Sequence, residues 1–458
     1  MDQSLINLRD SEANQAAFLV SMLNSSSCNF YAVDSTRRVL DAAGFQCLAE
    51  ADEWTLVPGG KYYVVKNDTA IFAFIVGNDP VEAEGFRIIS AHTDSPCFKL
   101  KPNCEIYGDG GVVSLNVEKY GGGILYTWFD RPLAISGRVL TRGVSPLTPR
   151  QHLVDSHRPV ATIPHLAIHF NRDVNNGNPL SVQKDMKPVL GCFSHQQIEE
   201  AKKSGGFIPA LLVELINQNL RDCSSPITVS AEDILDYELC LYPAEPAAVV
   251  GLNPDLLQSH RIDDLSMAFS GLAALLLEAD HPAAATRVLA LFDNEETGSG
   301  TKQGAASPVL RHIMERVCLS LSDDKQALYR ALARSFMISA DDAHAWHPNY
   351  NEKYDPTNHP VIGGGPVVKI NANCKYMTDG RSAAVFHALC DEAGVNMQYF
   401  VNHADVAGGS TLGNISSSQF DIPGVDVGCA IWAMHSARET ASLSDHIDMI
   451  KVFRQLLK

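Results

Sequence analysis

The chain has no Cys-x-x-Cys pair, no apolar run of membrane-spanning length, no basic stripe and no internal repeat. Each absence excludes something. Eleven cysteines, an odd number, are dispersed from Cys28, Cys47, Cys97 and Cys104 onward. That spacing speaks against a thiolate zinc site and against a disulfide framework, and reads as reduced, mostly buried thiols in a cytoplasmic protein. The apolar stretch Ala16–Leu23 is too short to span a bilayer and is followed by no cleavage signal, so it reads as an amphipathic helix and not as a membrane or export segment. With 36 Lys and Arg against 53 Asp and Glu, the formal net charge is −17, which argues against nucleic acid as a partner. No Walker or Rossmann spacing surrounds Gly363–Gly365 or Gly408–Gly409, so these glycines read as tight turns.

What is present is ordinary globular composition in 458 residues, more than one core accommodates. Residues 12–50 read as helical with a break at Gly44. Short apolar runs follow at Tyr62–Val65, Ala70–Val76 and Phe86–Ala91, the last of a kind suited to a strand buried on both faces. Residues 100–140 turn Gly-rich and β-rich, and the α/β alternation returns after about 247. The reading is an α/β protein whose central mixed sheet is flanked by helices. Residues 1–97 and 248–458 form one domain, and residues 98–247 form an inserted β-rich domain.

Candidate ligands follow the strands. His92 and Asp94 lie in Ser-Ala-His-Thr-Asp-Ser-Pro, at a strand's carboxyl end where open α/β sheets bind ligands. Asp263 and Asp264 lie in Arg-Ile-Asp-Asp-Leu, where one could be only a helix cap. Glu295 and Glu296 follow the apolar run Arg287–Phe292, and Asp341 and Asp342, a pair with the same ambiguity, follow Phe336–Ala340. Val425–Ile431 reads as a strand approaching His435. Alone, His92 could be a satisfied core histidine and the Glu pair a solvated helix start. Together, two histidines and several carboxylates without cysteine describe a hard-to-borderline metal site. A carboxylate such as Asp94 can orient a ligating imidazole, and one of two adjacent glutamates can ligate while its neighbour takes a proton from water. His344 and His347 lack the helical pattern and the Glu of a zincin, and are placed in or beside the substrate pocket.

These motifs, with Gly-Gly-Lys-Tyr-Tyr63, Ile163-Pro-His-Leu-Ala-Ile-His-Phe170, His347-Pro-Asn-Tyr350, Gly365-Pro-Val-Val-Lys-Ile370 and Ala433-Met-His-Ser436, stand in the order found in the M18 aminopeptidases. The chain resembles that family over essentially its whole length. The resemblance implies a metalloaminopeptidase that releases N-terminal residues, preferentially Asp or Glu, from peptides. It implies two divalent metals, most simply zinc, with cobalt or manganese chemically possible. His92, Asp263 and Asp341 would hold one, and Asp263, Glu296 and His435 the other. Asp94 would orient His92, Glu295 would be the general base, and Lys369 would face an acidic side chain. His169, from the inserted domain of a neighbouring copy, would reach the active site, because that domain builds dimers that assemble into a dodecamer. Where the family reads Asn, this chain has Asp264. Thr297 and the segment Ala407–Thr411 also depart from the common pattern. Two other classes remain: a hydrolase of the same fold acting on other N-terminal residues or small N-acyl amides, and a scaffold whose site has decayed.

Overall fold

The structure, a computed structural model, describes residues 8, 10–406 and 408–458. Ala407, first residue of the Ala-Gly-Gly-Ser-Thr segment, lies outside them. The chain divides into two compact units. The first comprises Met1–Ser95, Ala247–Met434 and Glu439–Lys458; the second comprises Pro96–Pro246 and His435–Arg438.

The first unit is built on a nine-stranded mixed sheet. Its centre is four mutually parallel strands: β1 (Phe86–His92), β2 (Thr286–Phe292), β3 (Phe336–Ala340) and β5 (Gly424–Gly428), in the spatial order β2-β1-β3-β5. Between β3 and β5 in sequence comes β4 (Val367–Ile370), antiparallel to β5. Every residue of β2 is buried, as are six of the seven in β1, as expected for strands covered on both faces. Register brings Phe292 opposite His92 and Ser339 opposite Ser90. The residues that follow β1, β2 and β3 therefore leave the sheet at one edge.

Helix α1 (Ile262–Leu277) runs behind this sheet and is buried at every residue from Ile262 to Leu275, the pattern of a helix covered all round. Gly271 sits where a Cβ would come 2.7 Å from Leu289 and 3.0 Å from Ile89, so no larger residue fits without moving the sheet. Helix α2 (Leu443–Leu457) packs on α1. Between them His446 is 2 % exposed, with Nδ1 2.6 Å from Ser270 Oγ, whose hydroxyl donates to the Ser266 carbonyl.

Burial lowers His446 to a pKa of about 3. The unfolded chain takes up a proton near pH 6.5 and the folded one does not. Stability is therefore intact above about 6.5 and is lost as pH falls toward 3, by about 1.4 kcal/mol per pH unit from this group. His446→Leu is expected to flatten that slope. Urea midpoints of both proteins between pH 7 and 5, in excess chelator, measure the difference; parallel curves would rule it out.

Two readings of the sequence differ from the structure. The helical stretch breaks at Ser26–Cys28 as well as at Gly44, giving helices Glu12–Ser25 and Asn29–Ala42. Serine side chains compete for backbone hydrogen bonds, and Ser25 Oγ indeed donates back to the Ser21 carbonyl. Val425–Ile431 is not one strand: after Gly428 the chain leaves the large sheet, and Ala430–Ile431 pairs with Ala343–His344. Gly428 itself lies where a Cβ would meet the Asp341 carbonyl at 2.0 Å.

The second unit is a six-stranded antiparallel sheet ordered Thr148–Asp155, Leu133–Ser145, Ile234–Pro243, Cys97–Tyr107, Val112–Tyr120 and Val189–Cys192. Helix Phe207–Asp222 packs on it through Ile208, Leu212 and Ile216. Phe98 and Trp128 meet edge-on at 5.1 Å in its core. All eleven cysteines are free thiols. No helix among the described residues is long and apolar enough to cross a membrane.

Candidate metal centre

The edge where β1, β2 and β3 end gathers several buried acidic side chains of the first unit. His92 closes β1, and its ring is 1 % exposed. Nδ1 lies 3.0 Å from the Asp94 carbonyl and 3.3 Å from Asp94 Oδ1. Nε2, the other ring nitrogen, points to Asp263 Oδ1 at 3.5 Å. An imidazole anchored through one nitrogen leaves the other among carboxylates, an arrangement that a metal ligand can take.

Asp263 is presented by an irregular start to α1. Arg261 is left-handed at φ 62, Asp263 has ψ 108, and the Asp263–Asp264 peptide is cis. Its backbone is held on both sides: the N–H donates to Glu439 Oε2 at 2.9 Å, and the carbonyl accepts from Ser95 Oγ at 2.7 Å. Arg261 donates to the Thr93 carbonyl, tying this turn to the end of β1. Asp341 follows β3, and its N–H donates to the Val427 carbonyl of β5. One ligand-type atom from each of His92, Asp263, Asp264 and Asp341 lies within 4.8 Å of the others, and all four residues are buried.

Glu295 and Glu296 sit on a short 3-10 turn after β2, entered through Asn294 at φ 62. The carboxylate of Asp94 spans that turn, with Oδ1 accepting the Glu295 N–H and Oδ2 the Glu296 N–H, both at 3.1 Å. Asp94 thus does more than face His92, since its carboxylate also fixes the Glu-Glu backbone. Burial pushes the Glu295 carboxyl up to about 8; His92 pulls it down, while Asp341, Glu296 and Asp94 raise it further. Burial also raises Asp341, against the pull of Lys369. Burial alone would lower His92, but Asp264, Asp263 and Asp94 override it and hold the imidazole well above its usual range.

Lys369 is on β4 and is buried, so it is not a lysine at a strand's exposed end. Its Nζ lies 3.5 Å from Asp341 Oδ1 and 5.8 Å from the ring centre of Tyr376. Desolvation opposes its charge, but Asp341 and Asp426 outweigh it and raise its pKa. Asp426, on β5, accepts from Thr411 Oγ1 at 2.6 Å and from the Met377 N–H.

Three other candidates remain. His344 is exposed, with its ring edge-on to Phe400 at 5.7 Å, and does not belong to the buried group. His435 belongs to the short segment assigned to the second unit. There it has φ 67, its carbonyl accepts the Ile124 N–H at 2.9 Å, and a Cβ on Gly122 would stand 3.4 Å from its Nδ1. His169 is exposed on a turn of the same unit, beside Ile168 and Phe170.

Sequence reasoning missed Glu439, and it left Asp341 and Asp342 open as alternatives. Asp342 accepts from Ser266 Oγ at 2.7 Å and the Cys429 N–H at 3.3 Å, joining the segment after β3 to α1. Glu439 carries no local signal beyond being acidic near a motif.

The donor set fits a divalent cation. A buried imidazole and three carboxylates converge, the nitrogen and oxygen donors that such an ion takes.

Comparison with known proteins gives the family and the fold. The family described as Aminopeptidase I zinc metalloprotease (M18) matches residues 22–457. A probable M18 family aminopeptidase 2 of Clostridium novyi (strain NT) is 43 % identical over 437 residues, covering 95 % of this chain and 97 % of its own. Among solved structures, that of the Ape4 and Nbr1 complex superposes with a TM-score of 0.92 at 32 % identity, covering 98 % of this chain and 87 % of the other. The mApe1 dodecamer of S. cerevisiae superposes with a TM-score of 0.82 at 26 % identity, covering 96 % of each chain.

Proposed function

The chain belongs to the M18 family and is a metal-dependent aminopeptidase, and from that premise we propose that it preferentially releases N-terminal Asp and Glu from peptides by a two-metal reaction. The supporting observation is Lys369, a buried cation on β4 within 3.5 Å of Asp341. In a chain of net charge −17, long-range attraction of an acidic substrate is unfavourable, so selection falls to a local cation.

His92, Asp263 and Asp341 would hold one divalent ion, and Asp263, Glu296 and His435 the second, zinc being the ion the family description names. Bound there, the ions supply Lewis acidity toward the scissile carbonyl and acidify water. The rest falls to the chain. Glu295 accepts the proton of the attacking water and returns it to the leaving amine, for which a carboxyl lifted by burial is suited. Asp94 holds Glu295 and Glu296 in place through their N–H groups. Lys369 donates to the substrate's first carboxylate; left unpaired, it penalises apolar residues.

Self-association is part of this reading. The second unit exposes Val144, Leu147 and Phe170 at 99 %, 93 % and 81 %, apolar area that a second copy would cover. Residues 98–247 would build the dimer, dimers would assemble into a dodecamer as the S. cerevisiae protein does, and His169 would act on the neighbouring copy's substrate. A metal-loaded monomer with full turnover would remove that role. With all cysteines reduced, the cytoplasm is the compartment proposed.

A panel of aminoacyl anilides, with metal added back after chelation, tests the substrate class. Lys369→Met is expected to lower kcat/KM for Asp and Glu substrates by about 10–150-fold, the loss of a charge-assisted contact worth roughly 1.5–3 kcal/mol. Leu and Ala substrates should change little. One observation favours a second reading: Lys369 is already paired with Asp341. If that pair is its whole role, Lys369 positions a ligand, the enzyme accepts other N-terminal residues, and the three substrate types lose activity equally.

A further inference from the structure

Asp264 is the fourth member of the buried group and has no part in the reaction described above. It is 0 % exposed. Its Oδ2 accepts the backbone N–H of His92 at 3.0 Å and lies 4.0 Å from His92 Nε2. Its Oδ1 is fully buried and has no hydrogen-bond partner among the described residues. The neighbouring carboxyl groups of Asp263, Asp341 and Asp342 all bear on it unfavourably, and His92 is the favourable charge.

An acid is an expensive choice here. Holding the His92 N–H needs only one acceptor oxygen, and an amide carbonyl would provide it. A second, unpaired oxygen among other acids costs free energy in the folded chain, because buried polar atoms are ordinarily satisfied and buried charges are ordinarily paired. A cation that binds after folding would compensate this cost further than His92 does. Three neighbouring carboxylates that only hold other groups differ. Asp94 caps two N–H groups, Asp342 accepts from a hydroxyl and an N–H, and Glu439 accepts the Asp263 N–H. Asp264 alone of these leaves a buried oxygen with no partner among the described residues.

We infer that Asp264 is a charge-supplying positioning residue of the metal centre. It holds His92 through the backbone N–H, and its negative charge raises the affinity for the cation at His92, Asp263 and Asp341 at the expense of the metal-free fold. The inference rests on the metal reading of the site. It separates two properties that a structural residue would move together. Removing the charge weakens metal binding and strengthens the metal-free protein.

The test uses the full chain with Asp264→Asn, which keeps an acceptor oxygen for His92 and removes the charge. Zinc affinity is measured by competition with a chromophoric chelator, and thermal unfolding is followed for metal-free and zinc-loaded protein. Zinc affinity is expected to fall roughly 10–100-fold, the range found when a group supporting a metal ligand is lost. The Tm of the metal-free protein should rise while that of the loaded protein falls. Asp264→Ala, which also loses the acceptor, should lower the metal-free Tm relative to the Asn variant and weaken zinc binding further. Wild-type zinc affinity in Asp264→Asn, or a metal-free Tm below that of the wild type, would overturn the inference. A wild-type protein that takes up no zinc would overturn the metal reading itself, which is a different result.

Discussion

Glu295→Gln should keep its metal and lose about 10²–10⁴-fold in kcat, the range a general base supplies. The expectation follows from where the turn after β2 places the two glutamates. Both backbone N–H groups are held by the Asp94 carboxylate, so replacing one side chain leaves the turn in place. Glutamine is isosteric with glutamate but cannot accept a proton at neutral pH. Burial lifts the Glu295 carboxyl to about 8 in the metal-free chain, an environment in which a proton can be taken and returned near physiological pH. Glu296→Gln is the internal control, because it should lower metal occupancy itself. Elemental analysis and steady-state kinetics on both variants separate the roles. A fully metallated Glu295→Gln enzyme with wild-type turnover would show that the base lies elsewhere.

Asp263→Asn should have the largest effect on metal content. Asp263 is the residue shared by both proposed ion sites, and its Oδ1 already lies 3.5 Å from His92 Nε2. An amide keeps the shape but donates on one side and carries no charge. The loss in affinity should exceed the roughly 10–100-fold that removal of a supporting hydrogen bond costs a metal site. After gel filtration in metal-free buffer the variant should carry neither ion and be inactive. Retention of two equivalents per chain by elemental analysis would remove Asp263 from the ligand set. Because Glu439 and Ser95 hold the Asp263 backbone, the variant should still fold, which circular dichroism can verify.

The chemistry of the site was legible in the sequence because it is written in residue types placed after strands. Continuous apolar runs such as Phe86–Ala91 and Arg287–Phe292 can only be buried strands or helix pieces, and their shortness favours strands. Parallel strands end at one edge, so acids and a histidine placed just after several of them come together. His92, Asp263 and Asp341 are an example, gathered from segments 171 and 78 residues apart. The sequence by itself thus determined the type of centre and the face of the sheet that carries it. Tertiary structure alone decided which group each acid meets. Nothing local says that Asp94 spans the Glu295–Glu296 turn, that Glu439 holds Asp263, or that Lys369 pairs with Asp341. Neither does local sequence show that Asp264 turns inward behind His92 with one oxygen unpaired. Periodicity and propensity act over a few residues, whereas these hydrogen bonds and ion pairs join groups from 28 to 202 residues apart in the chain. Their energies depend on burial and on the direction of a side chain, and both are set only when the sheet and α1 close around them.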